Sequence, residues 1–361
     1  MRDNIWAITT FYRFFPADKR EKNFYEFRDR LAEQGVKLAV IEITTPEVDF
    51  FLTESDCDML IQLKSPSILW HKERSLNLLI QRLPPDCEYV AWFDADCVLL
   101  ADDWAERAIE KLEVHCAVQL ASNIKFLKED GLMDFERGTY TYNLLLKSTK
   151  KTMGGRTEGA PGFCWMMKRR LIQQVTLYDK AIIGGGDILF ASMVMFNNIG
   201  RRMLANGDPG SFRYTDYVEW STRARKLFGN LKRATYLDID SFHLWHDDRK
   251  YRIYGARHFL LLLEDYHPSE DLAIEEKTGL YQIINENIKK HVETYFWFRE
   301  QDKTPEHDKL FDIYEFLMLT LKDVGMIKRK IVKGQDFAPT SMRQLQQRQT
   351  WESNQKYKKS S

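Results

Sequence analysis

The chain has 361 residues, of which 44% are hydrophobic and 29% are charged, and its formal net charge at pH 7 is zero. This length allows one large α/β domain with an appendage, or two domains, with a sizeable core. The balanced charge removes any global electrostatic argument for nucleic acid as a partner. Residues 328–361 are nevertheless basic, with nine Lys or Arg against two acidic residues. Such a tail predicts weak contact with an anionic membrane surface, the alternative being a solvated terminus.

Cysteine usage and the absence of a targeting segment indicate a compartment. The amino terminus lacks the apolar stretch of a signal peptide. Aliphatic runs such as Leu260–Leu263 are far shorter than the ~20 apolar residues that cross a bilayer. An odd number of cysteines without a C-x-x-C pair predicts neither a disulfide framework nor a zinc site. We therefore expect a reduced, cytoplasmic protein. The five cysteines are Cys57, Cys87, Cys97, Cys116 and Cys164.

The chain opens with an alternation of strand and helix patterns. Apolar, β-branched segments predict strands, and apolar residues at helical spacing predict the helices between them. This order predicts a parallel sheet with helices on its faces. The predicted elements are strands at 6–11, 36–44 and 59–63 and helices at 18–35 and 69–83.

A buried strand ending in two carboxylates is the most informative feature of the chain. The run from Glu88 to Phe93 is apolar or aromatic after its first residue, and Asp94 and Asp96 follow it. Alternation along a strand sends the two aspartates to the same face, about 6 to 7 Å apart. Two like charges that close are costly unless a cation or a shared proton offsets them. The pattern therefore predicts a metal-binding or catalytic pair, with a solvated loop as the alternative.

Downstream of this strand the pattern is less regular. It combines helices, a further strand and long polar segments. The predicted elements are a helix at 104–112, a strand at 114–122, a polar connection at 123–158 with some helix at roughly 136–148, a strand after the turn at 159–162, a helix after the glycines at 184–186, an irregular aromatic region beyond 200, a largely helical region at 266–335 and a mobile tail at 336–361.

Two later segments contain candidate functional residues. Three consecutive glycines, Gly184–Gly186, leave room for close approach to the backbone, and Asp187 follows them near the start of a helix. Asp187 is either a functional acid or a simple helix N-cap. Further on, His243 and His246 lie three residues apart and Arg249 follows them. This group suits a metal ion beside a phosphate, although paired histidines are often structural.

Together these residues match what sugar transfer from a nucleotide diphosphate requires. The leaving group is a diphosphate, so a divalent cation must neutralise the charge that develops on it. Carboxylate ligands with one imidazole suit Mn²⁺ or Mg²⁺ better than a thiol-loving metal. Basic and hydroxyl side chains can then close over the phosphates.

The ordered motifs resemble those of the metal-dependent GT-A glycosyltransferases. They are most similar to the family 2 type and to the galactosyltransferase and polypeptide N-acetylgalactosaminyltransferase branches, over roughly residues 1–260. The motifs are K-x-x-x-x-N from Lys72 to Asn77, D-x-D at Asp94 and Asp96, G-A-P-G-F-C-W from Gly159, G-G-G-D ending at Asp187, and H-x-W-H from His243.

The resemblance implies an open, mostly parallel, twisted sheet flanked by helices, with a C-terminal helical extension. It implies a GT-A domain at 1–265, with a nucleotide and metal half at 1–122 and an acceptor half at 123–265. A helical extension at 266–335 and a mobile basic tail at 336–361 would follow.

The resemblance also implies a role for each matching residue. Asp94, Asp96 and His243 would hold the Mn²⁺ or Mg²⁺ ion, Asp96 directly, while Asp94 also reaches the ribose. The other donor-binding residues would be Thr9 and Thr10 beside the nucleoside, Lys72 and Asn77, His246 and Arg249 over the diphosphate, and Gly185 and Gly186 facing the donor sugar.

One departure from the family pattern concerns the catalytic base. The galactosyltransferase branch has a run of acids after its paired glycines, whereas here Ile188 and Leu189 follow Asp187. If Asp187 is the base, it takes the proton of the acceptor hydroxyl and the reaction inverts the anomeric centre. If Asp187 only orients the sugar, retention becomes possible. We predict inversion.

The expected reaction is transfer from a UDP-sugar to a hydroxyl of a saccharide, a lipid-linked or a protein acceptor, with no nucleic acid involved. Two alternatives remain open. A haloacid-dehalogenase-type phosphatase would use Asp94 as nucleophile and Asp96 as acid and base. A nucleotide-sugar-binding protein without catalysis is the other.

Overall fold

The computed structural model describes residues 4–15, 18–146, 159–205, 211–246, 248–254, 256–300 and 304–333. The tail predicted at 336–361 lies outside these residues. The chain divides into two compact units, the first comprising Met1–Asp247 and His267–Glu293 and the second Asp248–Tyr266 and Thr294–Ser361.

Strands and helices alternate through the first part of the chain. The strands are β1 Ile5–Arg13, β2 Lys37–Thr44, β3 Met59–Lys64, β4 Tyr89–Phe93, β5 Cys97–Leu99, β6 Val118–Gln119, β7 Asn123–Leu127, β8 Met133–Gly138, β9 Cys164–Lys168, β10 Thr235–Tyr236, β11 Asp240–His243, β12 Leu272–Ile274 and β13 Tyr281–Ile283. The helices are α1 Asp18–Glu33, α2 Lys72–Arg82, α3 Trp104–Leu112, α4 Tyr140–Leu145, α5 Arg169–Val175, α6 Gly186–Val194, α7 Ile199–Ala205, α8 Phe212–Leu227, α9 Arg257–Leu263, α10 Glu286–Glu300 and α11 Pro305–Lys333, with short 3-10 turns at Glu54–Asp56 and Arg249–Arg252.

The first unit is built on a seven-stranded sheet with the order β10-β6-β9-β4-β1-β2-β3. Strands β3, β2, β1 and β4 are parallel, and β9 is antiparallel to its neighbours β4 and β6. A second sheet has the order β5-β11-β7-β8. The architecture is mixed α/β, with a central, mostly parallel sheet flanked by helices, which confirms the predicted fold class.

Both faces of the central sheet are buried, because alternate residues of each strand enter opposite cores. Ile8 of β1 and Trp92 of β4 belong to a core that includes apolar residues of α2, α5 and α6. Their neighbours Ala7 and Phe93 belong to a second core, with apolar residues of α1 and α3. This two-sided burial explains why the strand before Asp94 is continuously apolar.

The segment from 114 to 146 differs from the prediction. The strand predicted at 114–122 is only Val118–Gln119, and the polar connection begins with a β-hairpin, β7 and β8. Ile124 and Phe126 are buried while Lys125 between them is partly exposed, a period of two that marks a strand rather than a connection. The predicted helix reduces to α4, and the rest of the connection, residues 147–158, lies outside the described residues.

Two further regions contain regular structure that the sequence patterns did not indicate. The region beyond 200, predicted as irregular, contains the sixteen-residue helix α8. Its buried residues Tyr217, Trp220 and Ala224 follow helical spacing. Within the region predicted as largely helical, β12 and β13 form an antiparallel pair before α10 and α11. The predicted boundary between domains at residue 265 stays a prediction.

Among the described residues, no helix combines the length and the apolar character that a membrane span requires.

Candidate active site

A buried lysine joins two carboxylates at the carboxyl end of β4. Lys72 is the first residue of α2, and its ammonium group contacts Oδ1 of Asp94 and lies 2.9 Å from Oδ1 of Asp187. Burial disfavours the charge on Lys72, but Asp187 and Asp94 outweigh this effect and raise the pKa of Lys72 well above its usual range. Lys72 is therefore charged and holds together two acids that are 93 positions apart in the sequence.

The second oxygen of Asp94 faces a strained backbone segment. The amide of Phe163 donates to Oδ2 of Asp94 at 3.3 Å, and the amide of Asp94 donates to the carbonyl of Phe163 at 2.8 Å. Phe163 has φ +78°, a conformation that bulky residues seldom adopt. Strain of this kind persists where the surroundings enforce it, often at functional sites. Burial raises the pKa of Asp94, and the Lys72 ammonium opposes that rise.

Glycines make room for Asp187. A Cβ atom on Gly162 would lie 2.8 Å from Oδ2 of Asp187, closer than a side chain tolerates. Gly185 precedes α6 with φ +100°, a conformation that favours glycine. The G-A-P-G and G-G-G motifs thus allow the Asp187 carboxylate to lie against backbone at the start of α6.

Glu73 is a site residue that sequence reasoning missed. Its side chain is 4% exposed, and a Cβ atom on Gly186 would lie only 2.1 Å from its Oε1 atom. Burial and the nearby charge of Asp187 raise the pKa of Glu73 to about 8, although Lys72 opposes the rise. Its position in the sequence could have indicated this burial. Glu73 follows Leu69 by four residues and therefore falls on the apolar face of the predicted helix.

A second group of side chains lies beside Asp96. His246 Nε2 is 3.2 Å and His243 Nε2 is 3.7 Å from Oδ2 of Asp96. The antiparallel pairing of β5 with β11 sets Cys97 opposite His243, and the amide of Leu244 donates to the carbonyl of Asp96 at 2.8 Å. The two sheet segments thereby bring the D-x-D and H-x-W-H motifs together.

This trio has the composition of a metal site. One possible ligand atom from each of Asp96, His243 and His246 lies within 4.8 Å of the other two. The ring of His243 packs against the rings of both Phe126 and Phe163, at centroid distances of 4.9 and 5.3 Å, which limits its rotation. One carboxylate and two imidazoles fit a divalent ion, and they suit Mn²⁺ better than Mg²⁺, which prefers oxygen ligands.

The metal ligands predicted from the sequence were Asp94, Asp96 and His243. The structure groups Asp96 and His243 with His246, which was expected over the diphosphate, and it places Asp94 in contact with Lys72. The metal-ligand assignment itself stays a prediction.

The remaining predicted site residues have different surroundings. The hydroxyl of Thr9 donates to the carbonyl of Phe93, and the hydroxyl of Thr10 bonds to that of Ser75. The side-chain amide of Asn77 donates to the carbonyl of Leu177 and accepts from its amide, which fixes a loop. These contacts give each of the three residues a structural role, while their contact with a donor stays a prediction. Arg249 belongs to the second unit, where it begins a 3-10 turn.

The site therefore combines two chemical functions at one edge of the sheet. Asp187, whose Oδ1 is held by Lys72, can accept a proton. The Asp96 trio can hold a divalent cation. The amino terminus of α6 adds a partial positive charge beside Asp187, because unsatisfied amides are concentrated there.

No family model matches the chain, and no curated protein matches it. Among solved structures, it is similar to a Drosophila β1,4-galactosyltransferase 7 mutant in complex with manganese, UDP-Gal and xylobiose. The identity is 10%, the TM-score is 0.37, and the match covers 80% of this chain and 98% of that chain.

Two further solved structures are similar to the chain at comparably low identity. Residues 1 to 349 of TarS from S. aureus are 12% identical, with a TM-score of 0.37 and coverage of 73% of this chain and 65% of that chain. A protein from Desulfovibrio desulfuricans G20, described as a nucleotide-diphospho-sugar transferase, is 10% identical, with a TM-score of 0.30 and coverage of 83% and 99%. At these identities and TM-scores the chain is assigned to no family.

The raised pKa of Glu73 predicts a pH-dependent stability. Because this pKa is about 8 in the folded state against an ordinary 4.5, the folded protein binds the proton more tightly and loses stability as pH rises between these values. Glu73→Gln removes this contribution. The difference in melting temperature, variant minus wild type, should therefore increase as pH rises from about 5 to about 8.

The control for this experiment is Glu26→Gln, an exposed position on α1 that should show no such trend. Burial also lowers the pKa of His71, to about 3, so this residue adds its own pH dependence, which cancels in the comparison of variant with wild type. Parallel melting curves for Glu73→Gln and wild type over this pH range would contradict the placement of Glu73.

Proposed function

We propose that the protein is a metal-dependent glycosyltransferase of the GT-A fold that moves a sugar from a UDP-sugar to an acceptor hydroxyl. The observation that supports this most strongly is that Asp94 connects two groups that the reaction needs, because it lies two residues before Asp96 and shares the Lys72 ammonium with Asp187. The two groups are a trio of metal-binding type around Asp96 and a carboxylate, Asp187, that is held by Lys72 and can accept a proton.

The trio would hold Mn²⁺ through Asp96, His243 and His246. When bound, such an ion neutralises the negative charge that develops on a departing diphosphate. The chain's own contribution is to fix the ligands. The ring of His243 packs against two phenylalanine rings, and the backbone carbonyl of Asp96 accepts a hydrogen bond from the amide of Leu244.

Asp187 is the proposed general base. Lys72 occupies its Oδ1 atom at 2.9 Å, so we assign the incoming proton to Oδ2. The acceptor oxygen forms a bond to the anomeric carbon as the bond from that carbon to the diphosphate oxygen breaks, and the hydroxyl proton passes to Asp187. Attack from the side opposite the diphosphate gives inversion.

Asp94 is proposed to bind the ribose of the donor rather than the metal ion directly. Its Oδ1 atom contacts Lys72, and its Oδ2 atom accepts from the amide of Phe163. These two contacts fix the carboxylate in a single orientation. A saccharide, a lipid-linked sugar or a protein side chain could each provide the acceptor hydroxyl.

The phosphatase alternative receives less support from the contacts. It requires Asp94 as nucleophile, yet the Lys72 ammonium and the Phe163 amide draw negative charge from both oxygens of Asp94, which weakens a nucleophile but does not prevent a hydrogen bond from a ribose hydroxyl. It also requires Asp96 as a proton donor, and Asp96 lies between two imidazoles. A nucleotide-sugar-binding protein without catalysis stays an alternative, and a measurement of turnover distinguishes it from an enzyme. The cytoplasmic location and the absence of a nucleic-acid partner stay predictions.

The first test concerns the metal. The purified protein should release UDP from a UDP-sugar only in the presence of Mn²⁺ or Mg²⁺, and Asp96→Ala should reduce the rate by about a hundredfold or more, because the variant loses the carboxylate of the trio. Coupled UDP detection over a panel of UDP-sugars measures this. Asp86→Ala, an exposed aspartate before the opposite end of β4, is the control and should keep full activity. Undiminished turnover by Asp96→Ala in the presence of a chelator would contradict the proposal.

The second test concerns the base. Asp187→Asn keeps an oxygen for the hydrogen bond from Lys72 but cannot take a proton, so kcat for transfer should fall about 10² to 10⁴-fold while UDP-sugar binding is retained. Proton NMR of the first product formed by the wild type should show the anomeric configuration opposite to that of the donor. A retained configuration, or an active Asp187→Asn, would rule out Asp187 as an inverting base.

A further inference from the structure

Helix α11 of the second unit exposes a continuous apolar stripe. Its side chains are between 45% and 59% exposed over four turns of the helix. None of the exposed side chains that form the stripe is charged. The exposed residues are Leu310, Ile313, Phe316, Leu317, Leu321 and Val324.

The stripe has the spacing of a coiled coil. Leu310, Ile313, Leu317, Thr320 and Val324 follow one another at alternating intervals of three and four residues. The sequence continues the same spacing with isoleucines at 327 and 331, so it extends over three heptads. A repeat of this kind is typical of a helix that packs along another helix at a narrow seam.

Packing within the second unit uses a different side of α11. The ring of Phe311 lies 4.7 Å from that of Tyr251, and Tyr314 stacks on Phe298 at 4.4 Å. Asp308 accepts from the hydroxyl of Tyr251. The stripe is therefore not the surface that attaches α11 to its own unit.

The charges of α11 are divided between its two halves. Residues 305–319 contain four acidic residues and one basic residue, whereas residues 320–333 contain five basic residues and one acidic residue. A second α11 lying antiparallel would set the acidic half of each helix against the basic half of the other. A parallel partner would oppose like charges, and an anionic membrane would repel the acidic half.

We propose that α11 pairs antiparallel with α11 of a second copy of this chain, through the exposed stripe, to form a two-fold symmetric dimer. In the register that aligns the heptads, Ile313 faces Val324 of the second copy and Leu317 faces Thr320. The contact is self-complementary, as two-fold symmetry requires. It does not depend on the proposed activity.

Sedimentation velocity on the full chain tests the pairing. The wild type should sediment as a dimer, and the double variant Ile313→Lys with Leu317→Lys should raise the dimer Kd at least about tenfold, because it places charges in the centre of the seam. The matched control is Leu132→Lys, which alters a leucine that is 64% exposed in the turn between β7 and β8. Circular dichroism establishes that each variant keeps its helices.

Charge reversal tests the orientation. Glu306→Lys with Asp312→Lys should weaken an antiparallel dimer, because both halves are then basic. Adding Lys328→Glu, Arg329→Glu and Lys330→Glu to the same chain should restore it, since the two halves then carry opposite net charges again. A parallel dimer would be strengthened by the first pair of changes, which would overturn the proposal. A monomeric wild type would also overturn it, as would a monomer that binds phosphatidylserine vesicles through Ile313 and Leu317.

Discussion

The ammonium group of Lys72 is the interaction on which the site depends. It lies between Asp94 and Asp187, two acids that would repel each other at this separation without a cation between them. Because α2 begins at Lys72, the packing of that helix against the sheet fixes the charge at the end of β4. Loss of Lys72 would therefore disturb both acids together, leaving two partly buried carboxylates without their counter-charge.

Close packing around the acids explains the glycine-rich motifs. Gly162 admits the carboxylate of Asp187, and Gly186 admits that of Glu73. A side chain at either position would displace a carboxylate by more than catalytic geometry tolerates. The glycines of these motifs therefore leave space for charged side chains. This role requires no contact between the glycines and a sugar, and it is consistent with one.

Local patterns predicted the strand that ends at Asp94, since alternation and an apolar run depend only on neighbouring residues. The family resemblance, rather than any local pattern, indicated Asp96 and His243 as partners. Local patterns could not predict that His246 joins the trio, which depends on the pairing of β11 with β5 far away in sequence. Glu73 was not predicted as a site residue because the sequence does not show which buried groups surround a carboxylate on the apolar face of a helix.

The proposed activity requires that Asp96, His243 and His246 hold a divalent ion against a nucleotide diphosphate. Pulsed electron paramagnetic resonance of Mn²⁺ with the protein and UDP measures this directly, because it detects the nuclei bonded to the ion. We expect ¹⁴N couplings from two imidazoles together with ³¹P couplings from the diphosphate, and one fewer nitrogen in His246→Ala. A spectrum of hydrated Mn²⁺ without ¹⁴N couplings would contradict the account.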